Sequence, residues 1–222
     1  MRAIAVDGPS GAGKSTMVKA IAAMLGFVYV DTGAIYRACG LFAARRGIAR
    51  ETIAEVIPLL GEISVSLAYQ DGAQRIFLNG EDVSGLIRTP EISLYASAVS
   101  ALPEVRAKLL SLQREIAEKN DVIMDGRDIG TVVLPNADVK IFLTASAEER
   151  ARRRYLELKE KGADVTYEQT LIEVRERDAK DEGRAIAPLR PAEDAVIVDT
   201  TGKDKEESLA MLYGEIKARL GL

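Results

Sequence analysis

The stretch GPSGAGKS at Gly8–Ser15 decides the fold of this chain. It follows the pattern G-x-x-x-x-G-K-S/T of the P-loop, in which a glycine-rich backbone surrounds phosphate groups. The apolar run before it, Ala3–Asp7, predicts a buried strand, and the apolar spacing of Lys14–Leu25 predicts a helix that ends at Gly26. Strand, glycine-rich loop and helix together predict a nucleoside triphosphate site, because this context separates a true P-loop from a chance match.

The residue types in this loop suit phosphate binding. Glycines let backbone N–H groups converge on phosphate oxygens without Cβ clashes, and the start of the helix adds a positive dipole end. Lys14 can reach the β- and γ-phosphates, and the Ser15 hydroxyl can bind Mg²⁺. We expect Lys14 to be partly exposed at the rim of the loop. The residues predicted to contact ATP are Gly8, Pro9, Ser10, Gly11, Ala12, Gly13, Lys14, Ser15 and Thr16.

The composition excludes several kinds of chemistry. The chain has 222 residues, with one cysteine, Cys39, and no histidine. An intramolecular disulfide, a Cys/His zinc site and a histidine-activated nucleophile are therefore excluded. The net charge of −4 provides no global basic field for nucleic acid, whereas arginines are concentrated locally between Arg150 and Arg190. This distribution favours a small anionic ligand.

The first residues have the pattern of a strand and not of a signal peptide, and no apolar run approaches membrane-spanning length. We therefore expect a cytoplasmic protein without a membrane partner. We also expect a monomer that binds no nucleic acid.

Short apolar runs alternate with helical stretches along the chain. This alternation predicts βαβ units, and we expect an α/β fold of three layers in which helices flank a five-stranded parallel sheet. The predicted strands are Ala3–Asp7, Phe27–Asp31, Val122–Asp125, Val139–Leu143 and Ala195–Asp199. The predicted helices are Lys14–Leu25, Ala34–Arg46, Glu51–Leu60, Pro103–Lys119, Ala147–Lys161, Thr166–Glu182 and Lys205–Leu220.

One stretch departs from this alternation. Ile63–Tyr69 alternates apolar and polar residues, Arg75–Leu78 has the pattern of a second short strand, and turn signals stand at 70–73 and 79–80, within a stretch from Ile63 to about Ser84. We therefore predict a small antiparallel insert. No linker is rich enough in Pro, Gly or Ser to mark a domain boundary, so we expect one domain over residues 1–222.

Charged residues follow two of the predicted strands. DTGAIYR occupies Asp31–Arg37, and DGRDIGT occupies Asp125–Thr131. Ligands bind at the carboxyl edge of open α/β sheets, so we expect these side chains beside the P-loop, where a second anionic substrate would be an acceptor. The guanine-reading motif Asn-Lys-x-Asp of GTPases is absent, and we interpret Asp82–Gly85 as a chance match to their D-x-x-G switch.

At these segments the chain resembles the bacterial cytidylate kinases, which are P-loop nucleoside monophosphate kinases. The similarity follows the family order over nearly the whole chain, and the strand-end motifs are far more specific than the P-loop alone. The matching segments are Gly8–Thr16, Asp31–Arg37, Gly80–Thr89, Asp125–Val133, Val139–Arg154, Arg177–Leu189 and Ala195–Thr200. The resemblance implies transfer of the γ-phosphoryl group of ATP to CMP, and also to dCMP, with Mg²⁺. It further implies a monophosphate-binding insert at residues 61–99 and a mobile helical lid at residues 147–162.

The resemblance also implies roles for individual residues. These are Ser97, Arg106 and Asp128 for the cytosine base, Arg177 and Asp181 for the pentose, and Arg37, Arg127 and Arg184 for the monophosphate, while Thr32 and Tyr36 complete the substrate-binding set.

The lid would carry four arginines between Arg150 and Arg154. Glu148–Arg152 and Glu149–Arg153 have the i,i+4 spacing of helical ion pairs, so these two arginines are equally well explained as a solvated face. Arg150 and Arg154 lack such an upstream acid, and we expect them to be catalytic together with Lys14 and Arg127. For Asp125, a water-mediated Mg²⁺ partner and a structural acid at a strand end are equally open.

Two alternatives to a CMP kinase remain at this stage. One is a P-loop kinase for another small acceptor, such as UMP, AMP or a hydroxylated metabolite. The other is a nucleotide-binding switch without transfer activity, against which the paired Asp/Arg strand ends argue.

Overall fold

The computed structural model describes residues 1–70 and 73–222, so part of the turn predicted at 70–73 lies outside the described residues. The strands are β1 (Ala3–Asp7), β2 (Val28–Asp31), β3 (Val65–Gln70), β4 (Ala73–Leu78), β5 (Glu81–Asp82), β6 (Val122–Gly126), β7 (Val139–Thr144) and β8 (Val196–Asp199). The α-helices are α1 (Lys14–Leu25), α2 (Thr32–Arg45), α3 (Pro90–Val99), α4 (Pro103–Lys119), α5 (Ala147–Glu160), α6 (Tyr167–Glu182) and α7 (Lys205–Leu220). A 3₁₀ segment covers Arg50–Glu62, and a π-helical segment covers Ile129–Val133.

The main sheet has five strands in the order β2-β6-β1-β7-β8. The pairings of β1 with β6 and with β7 are parallel, and Asp7 lies level with Gly126 on one side and Phe142 on the other. A second sheet joins β3, β4 and β5 in antiparallel pairs. The predicted α/β fold with a five-stranded parallel sheet and a small antiparallel insert is therefore confirmed.

The chain forms two compact units. The first, which we call the insertion unit, contains Tyr29–Asn120 together with Met1. The second, which we call the P-loop unit, contains Arg2–Val28 and Asp121–Leu222. The insertion unit is larger than the insert predicted at residues 61–99, because it also contains α2 and α4.

The core of the P-loop unit is built on β1, whose residues Ile4, Ala5 and Val6 are completely buried. Helix α1 packs against β6, helix α7 packs against α1 and β7, and α5 packs against α6. Full burial of each large aliphatic side chain contributes about 1.5–3 kcal/mol. This core supports the carboxyl ends of β1 and β6, where the motifs of the sequence lie.

In the insertion unit, α2 and α3 approach closely at Gly40. A Cβ atom on Gly40 would lie 2.9 Å from the backbone nitrogen of Ala96, which leaves no room for a side chain. Helix α3 was not predicted, although Thr89 caps it by accepting a hydrogen bond from Ile92 N at 3.2 Å and Pro90 occupies its first turn. A Thr-Pro pair at a helix start is a recognisable sequence signal.

The prediction of an α-helix at Glu51–Leu60 was wrong, because this stretch forms 3₁₀ turns. Pro58 lies inside it and has no N–H to donate to an i−4 carbonyl. Thr52 also departs from helical backbone angles, with φ −111° and ψ 27°. The apolar spacing alone did not reveal this interruption. By contrast, α1, α4 and α7 have the predicted bounds.

Candidate active site

The P-loop lies against β7 at a distance that only glycine permits. A Cβ atom on Gly8 would come within 2.0 Å of the Leu143 carbonyl oxygen, and Gly8 has φ +149°. Gly13, which precedes α1, also has a positive φ of 86°. The spaced glycines of the motif thus meet steric requirements of this loop, as the sequence predicted.

Lys14 is buried, with 6% of its surface exposed. Its ammonium group donates hydrogen bonds to the Gly8 carbonyl at 2.7 Å and the Pro9 carbonyl at 2.8 Å. Burial lowers the pKa of Lys14 well below its usual value, and the positive charge of Arg127 lowers it further, while Asp125 and Asp7 act in the opposite direction. The expectation of a partly exposed lysine was wrong, because the loop surrounds the ammonium group with its own carbonyls.

Ser15 and Asp125 bring two oxygen donors together beside the loop. The Ser15 hydroxyl donates to Asp125 Oδ2 at 2.7 Å, and Asp125 is buried near the end of β6. Mg²⁺ prefers oxygen ligands and is usually held by one or two carboxylates together with substrate phosphates, so this pair fits the predicted metal role of Ser15. Among residues 1–70 and 73–222, no group of three or more His, Cys, Asp or Glu side chains could hold a metal ion by itself.

Arg127 and Arg184 share one carboxylate. Arg127 Nε donates to Asp181 Oδ2 at 2.8 Å, and an Arg184 nitrogen donates to Asp181 Oδ1 at 2.6 Å. Burial raises the pKa of Asp181, but the charges of Arg127 and Arg184 outweigh it and hold that pKa below its usual value. Three predicted substrate residues are therefore brought together, and two of them are cations of the kind that binds phosphate.

Arg150, at the start of α5, is 5% exposed and spans three elements. Its guanidinium donates to the Ala145 carbonyl at 2.8 Å, to the Ser10 carbonyl of the P-loop at 3.1 Å, and to Asp178 of α6 at 3.0 and 2.6 Å. Asp178 was not predicted, because it lies 28 residues from Arg150 and no local pattern connects them.

The other arginines of α5 lie nearer to solvent. Arg152 and Arg153 both donate to Glu149, at 3.0 and 2.9 Å, so the predicted Glu149–Arg153 pair is confirmed. Arg152 does not pair with Glu148, which binds Arg175 at 2.7 Å. Arg154 is paired with Glu157 at 3.1 Å, and both side chains are exposed. Ser146 caps α5 by accepting a hydrogen bond from Glu149 N.

In the insertion unit, the carboxylate of Asp31 is held between two arginines. Asp31 Oδ2 lies 2.8 Å from Arg37 and 3.5 Å from Arg88, while Oδ1 accepts a hydrogen bond from Ala34 N and so caps α2. Arg37 also has a buried Nε with no hydrogen-bond partner in the described part of the chain. Asp31 was expected near the site as part of the strand-end segment Asp31–Arg37 but was assigned no role, and Arg88 was not predicted.

A second group in the insertion unit contains two of the three residues predicted for the base, Ser97 and Arg106, while Asp128 belongs to the P-loop unit. Arg106 lies over the ring of Tyr36, 5.6 Å from its centre, and donates to the Ser100 carbonyl at 3.1 Å. The Ser100 hydroxyl in turn donates to the Ser97 carbonyl at 2.9 Å. Thr32 is buried at the start of α2. Ser100 thus connects Arg106 to the Ser97 backbone, and Arg106 contacts Tyr36 directly.

Asp7 is a further buried carboxylate that the sequence analysis did not include in the site. Its oxygens accept hydrogen bonds from Ile129 N and Gly130 N, each at 2.7 Å. Burial raises the pKa of Asp7 to about 7, against the opposing effect of these two hydrogen bonds. The rule that singled out Asp31 and Asp125, a charged residue at the end of a strand, applies equally to Asp7.

No helix within residues 1–70 and 73–222 has both the length and the apolar character needed to cross a membrane.

A P-loop between β1 and α1, on a five-stranded parallel sheet with a buried lysine, defines a P-loop nucleotide-binding fold. Among solved structures, the chain is similar to a shikimate kinase from Bacteroides thetaiotaomicron, with a TM-score of 0.50 and 14% identity over 100% of this chain and 99% of that one. At this identity the likeness supports the fold alone.

The chain belongs to the cytidylate kinase family, whose model matches residues 4–218. It is 53% identical to a cytidylate kinase of Caldicellulosiruptor bescii, over 93% of this chain and 91% of that protein. It is 50% identical to a cytidylate kinase of Syntrophotalea carbinolica, over 97% of this chain and 92% of that protein. The predicted family and the class of enzyme, a nucleoside monophosphate kinase, are therefore confirmed.

Proposed function

We propose that this protein transfers the γ-phosphoryl group of ATP to CMP and to dCMP, giving ADP with CDP or dCDP. The segment Asp125–Asp128 is the observation that carries the proposal. In this segment, the Asp125 carboxylate accepts a hydrogen bond from Ser15, and the charge of Arg127 acts on Lys14. Asp128 adds a buried carboxylate that suits a nucleotide base. Family membership over residues 4–218 supports the same substrates.

The P-loop is the proposed site for the donor. ATP phosphates would accept hydrogen bonds from the loop N–H groups and lie at the start of α1. Lys14 would exchange the Gly8 and Pro9 carbonyls for phosphate oxygens, which are stronger partners because they are charged. Ser15 and Asp125 are the residues proposed to hold Mg²⁺, which when bound neutralises phosphate charge.

The arginines are the proposed partners of the monophosphate. Asp181 holds Arg127 and Arg184 in place, and the geometry and charge of a guanidinium group match those of phosphate oxygens. In the insertion unit, we propose the same role for Arg37 on the basis of its buried, unpartnered Nε. The pentose roles of Arg177 and Asp181 and the substrate roles of Thr32 and Tyr36 stay predictions.

We propose that Asp128 reads the cytosine base. Its carboxylate can accept from the exocyclic amine of cytosine, whereas uracil would present a carbonyl oxygen to it. The base contacts of Ser97 and Arg106 stay predictions from the family resemblance.

Such a transfer needs positioning and charge neutralisation more than a covalent nucleophile. The attacking monophosphate oxygen is already anionic, so a chain without histidine can provide the necessary groups. Arg154 is exposed and paired with one glutamate, so phosphate can replace that partner at little cost. Arg150 would have to exchange Asp178 for phosphate, so its catalytic role implies a movement of α5.

The decisive experiment is a coupled assay of ADP formation with CMP, dCMP, UMP or AMP as acceptor. We expect CMP and dCMP to support turnover and UMP and AMP to support little. In the variant Lys14→Met, which keeps the buried volume, we expect turnover to fall by about 10³-fold or more. Arg219→Met, in an exposed pair with Glu215, is the matched control. CMP-independent ADP release, or near-normal turnover in Lys14→Met, would overturn the proposal.

A further inference from the structure

Asp7 has no part in the transfer chemistry proposed above, although it is the last residue before the P-loop. Its side chain is 3% exposed, and both of its oxygens have partners. Oδ1 accepts from Ile129 N and Oδ2 accepts from Gly130 N, each at 2.7 Å. A buried carboxylate with two short, separate contacts to consecutive backbone groups holds that backbone in a defined place.

The two N–H groups that Asp7 accepts belong to the first turn of the π-helical segment Ile129–Val133. The first N–H groups of a helical turn have no acceptor within the turn and need one from outside. Further along the turn, the N–H groups of Val132 and Val133 donate to the Asp128 carbonyl. Asp7 therefore caps this turn from the neighbouring strand.

Gly130 lies close to the side chains of Lys140 and Asp7. A Cβ atom on Gly130 would lie 3.3 Å from Lys140 Cδ and 3.4 Å from Asp7 Oδ2. The register of the sheet also places Asp7 level with Gly126, one residue before Arg127. The capped turn and the strand end thus fix the backbone on both sides of Arg127 and Asp128.

We propose that Asp7 is a positioning residue for the acceptor nucleotide, because its carboxylate fixes Ile129 and Gly130 and thereby the backbone that carries Arg127 and Asp128. The kinetic consequence of this inference rests on the proposed function of those two residues. Asp7 itself touches no reacting atom in this scheme.

The test is the variant Asp7→Asn. An amide has one oxygen to accept with and an NH₂ group that donates, so one of the two N–H groups would face another donor. A shift of about 1 Å in a positioned group can cost on the order of 100-fold. We expect the KM for CMP to rise about tenfold or more and kcat to fall, while the KM for ATP stays unchanged.

Asp138→Asn is the matched control. Asp138 also accepts a backbone hydrogen bond at β1, from Ala3 N at 2.7 Å, but at the opposite end of the strand. We expect this variant to change neither KM. If Asp7→Asn lowers thermal stability but leaves the KM for CMP and kcat as in the wild type, Asp7 is merely structural and the inference fails.

A second measurement separates this inference from the proposed function. Amide hydrogen exchange of residues 126–134 in the nucleotide-free protein needs no activity, and we expect it to be faster in Asp7→Asn than in wild type and Asp138→Asn. Unchanged exchange would overturn the positioning role. Faster exchange in a protein whose wild type does not phosphorylate CMP would retain the positioning role and overturn the proposed function.

Discussion

Asp7 and Asp181 are almost equally buried, with 3% and 2% exposed, but their surroundings have opposite effects. Asp7 faces two backbone N–H groups, and burial raises its pKa to about 7. Asp181 faces Arg127 and Arg184, whose charges outweigh its burial and lower its pKa. At Asp7 the two backbone hydrogen bonds compensate only partly for the loss of water, whereas at Asp181 the nearby arginines more than offset the effect of burial on the pKa. One acid positions backbone and the other positions side chains.

The largest effect on the free energy of unfolding is expected from Asp181→Ala. Removing the carboxylate leaves Arg127 and Arg184 partly buried without the acceptor that both share. Breaking one side of a buried ion pair typically costs about 3–5 kcal/mol, and we expect a loss of this size in the free energy of unfolding, measured with urea. Arg154→Ala removes an exposed pair and is the control, with an expected change of about 1 kcal/mol or less. Equal effects from the two variants would mean that Asp181 is not the anchor of these arginines.

The pH dependence of stability should separate Asp7 from Asp181. Because the pKa of Asp7 is higher in the folded protein than the usual 3.8, folding favours its protonated form. Its contribution to stability is therefore lost as pH rises from about 4 to about 7, and is constant above that. For Asp181, whose folded pKa is lowered, the contribution is present above the usual value and lost as pH falls below it.

We accordingly expect the stability of wild type relative to Asp7→Asn to decrease between pH 5 and pH 7.5, by about 1–3 kcal/mol. Urea unfolding of both proteins at the two pH values measures this difference. The charges of Asp128 and Lys14 also act on the pKa of Asp7, so both residues are left unchanged in the proteins that are compared. A difference that stays constant or increases with pH would show that Asp7 is ionised throughout.

The smallest effect is expected from Asp128→Asn, and it concerns substrate preference. Asp128 is a third buried acid, and we propose that it binds the base. Asp128→Asn can donate to the uracil carbonyl and should narrow the preference for CMP over UMP. Leaving a buried polar group unpaired costs about 1–3 kcal/mol, so we expect the ratio of kcat/KM values to change by roughly tenfold or more. An unchanged ratio would mean that Asp128, like Asp7 and Asp181, positions neighbouring groups and does not bind the base.

The sequence predicted well wherever the chemistry is local. The P-loop and α1 follow from glycine spacing and apolar period, and the strand-end rule correctly drew attention to Asp31 and Asp125. The same rule would have found Asp7. Helix α3 had a local signal at Thr89 and Pro90 that was not used.

Other features depend on contacts between residues far apart in the sequence. The pairing of Arg150 with Asp178 has no local pattern, because the two residues are 28 positions apart. The carbonyls around Lys14 are close in sequence, but their convergence on the ammonium group depends on the folded shape of the loop. The 3₁₀ stretch at Arg50–Glu62 has helical apolar spacing, so only the proline inside it argued against an α-helix. The roles of the site residues and the closure of residues 147–162 over phosphate stay predictions.

The guanidinium of Arg150 connects the P-loop to α6, the helix whose Asp181 holds Arg127. It joins the Ser10 carbonyl of the P-loop to Asp178, and Asp178 lies one turn of α6 before Asp181, which holds Arg127. An anion that displaces the Ser10 carbonyl alters a hydrogen bond of Arg150. An anion that binds Arg127 alters the ion pair of Arg127 with Asp181. Thermodynamic reciprocity then applies: by whatever factor the first ligand changes the affinity for the second, the second changes the affinity for the first.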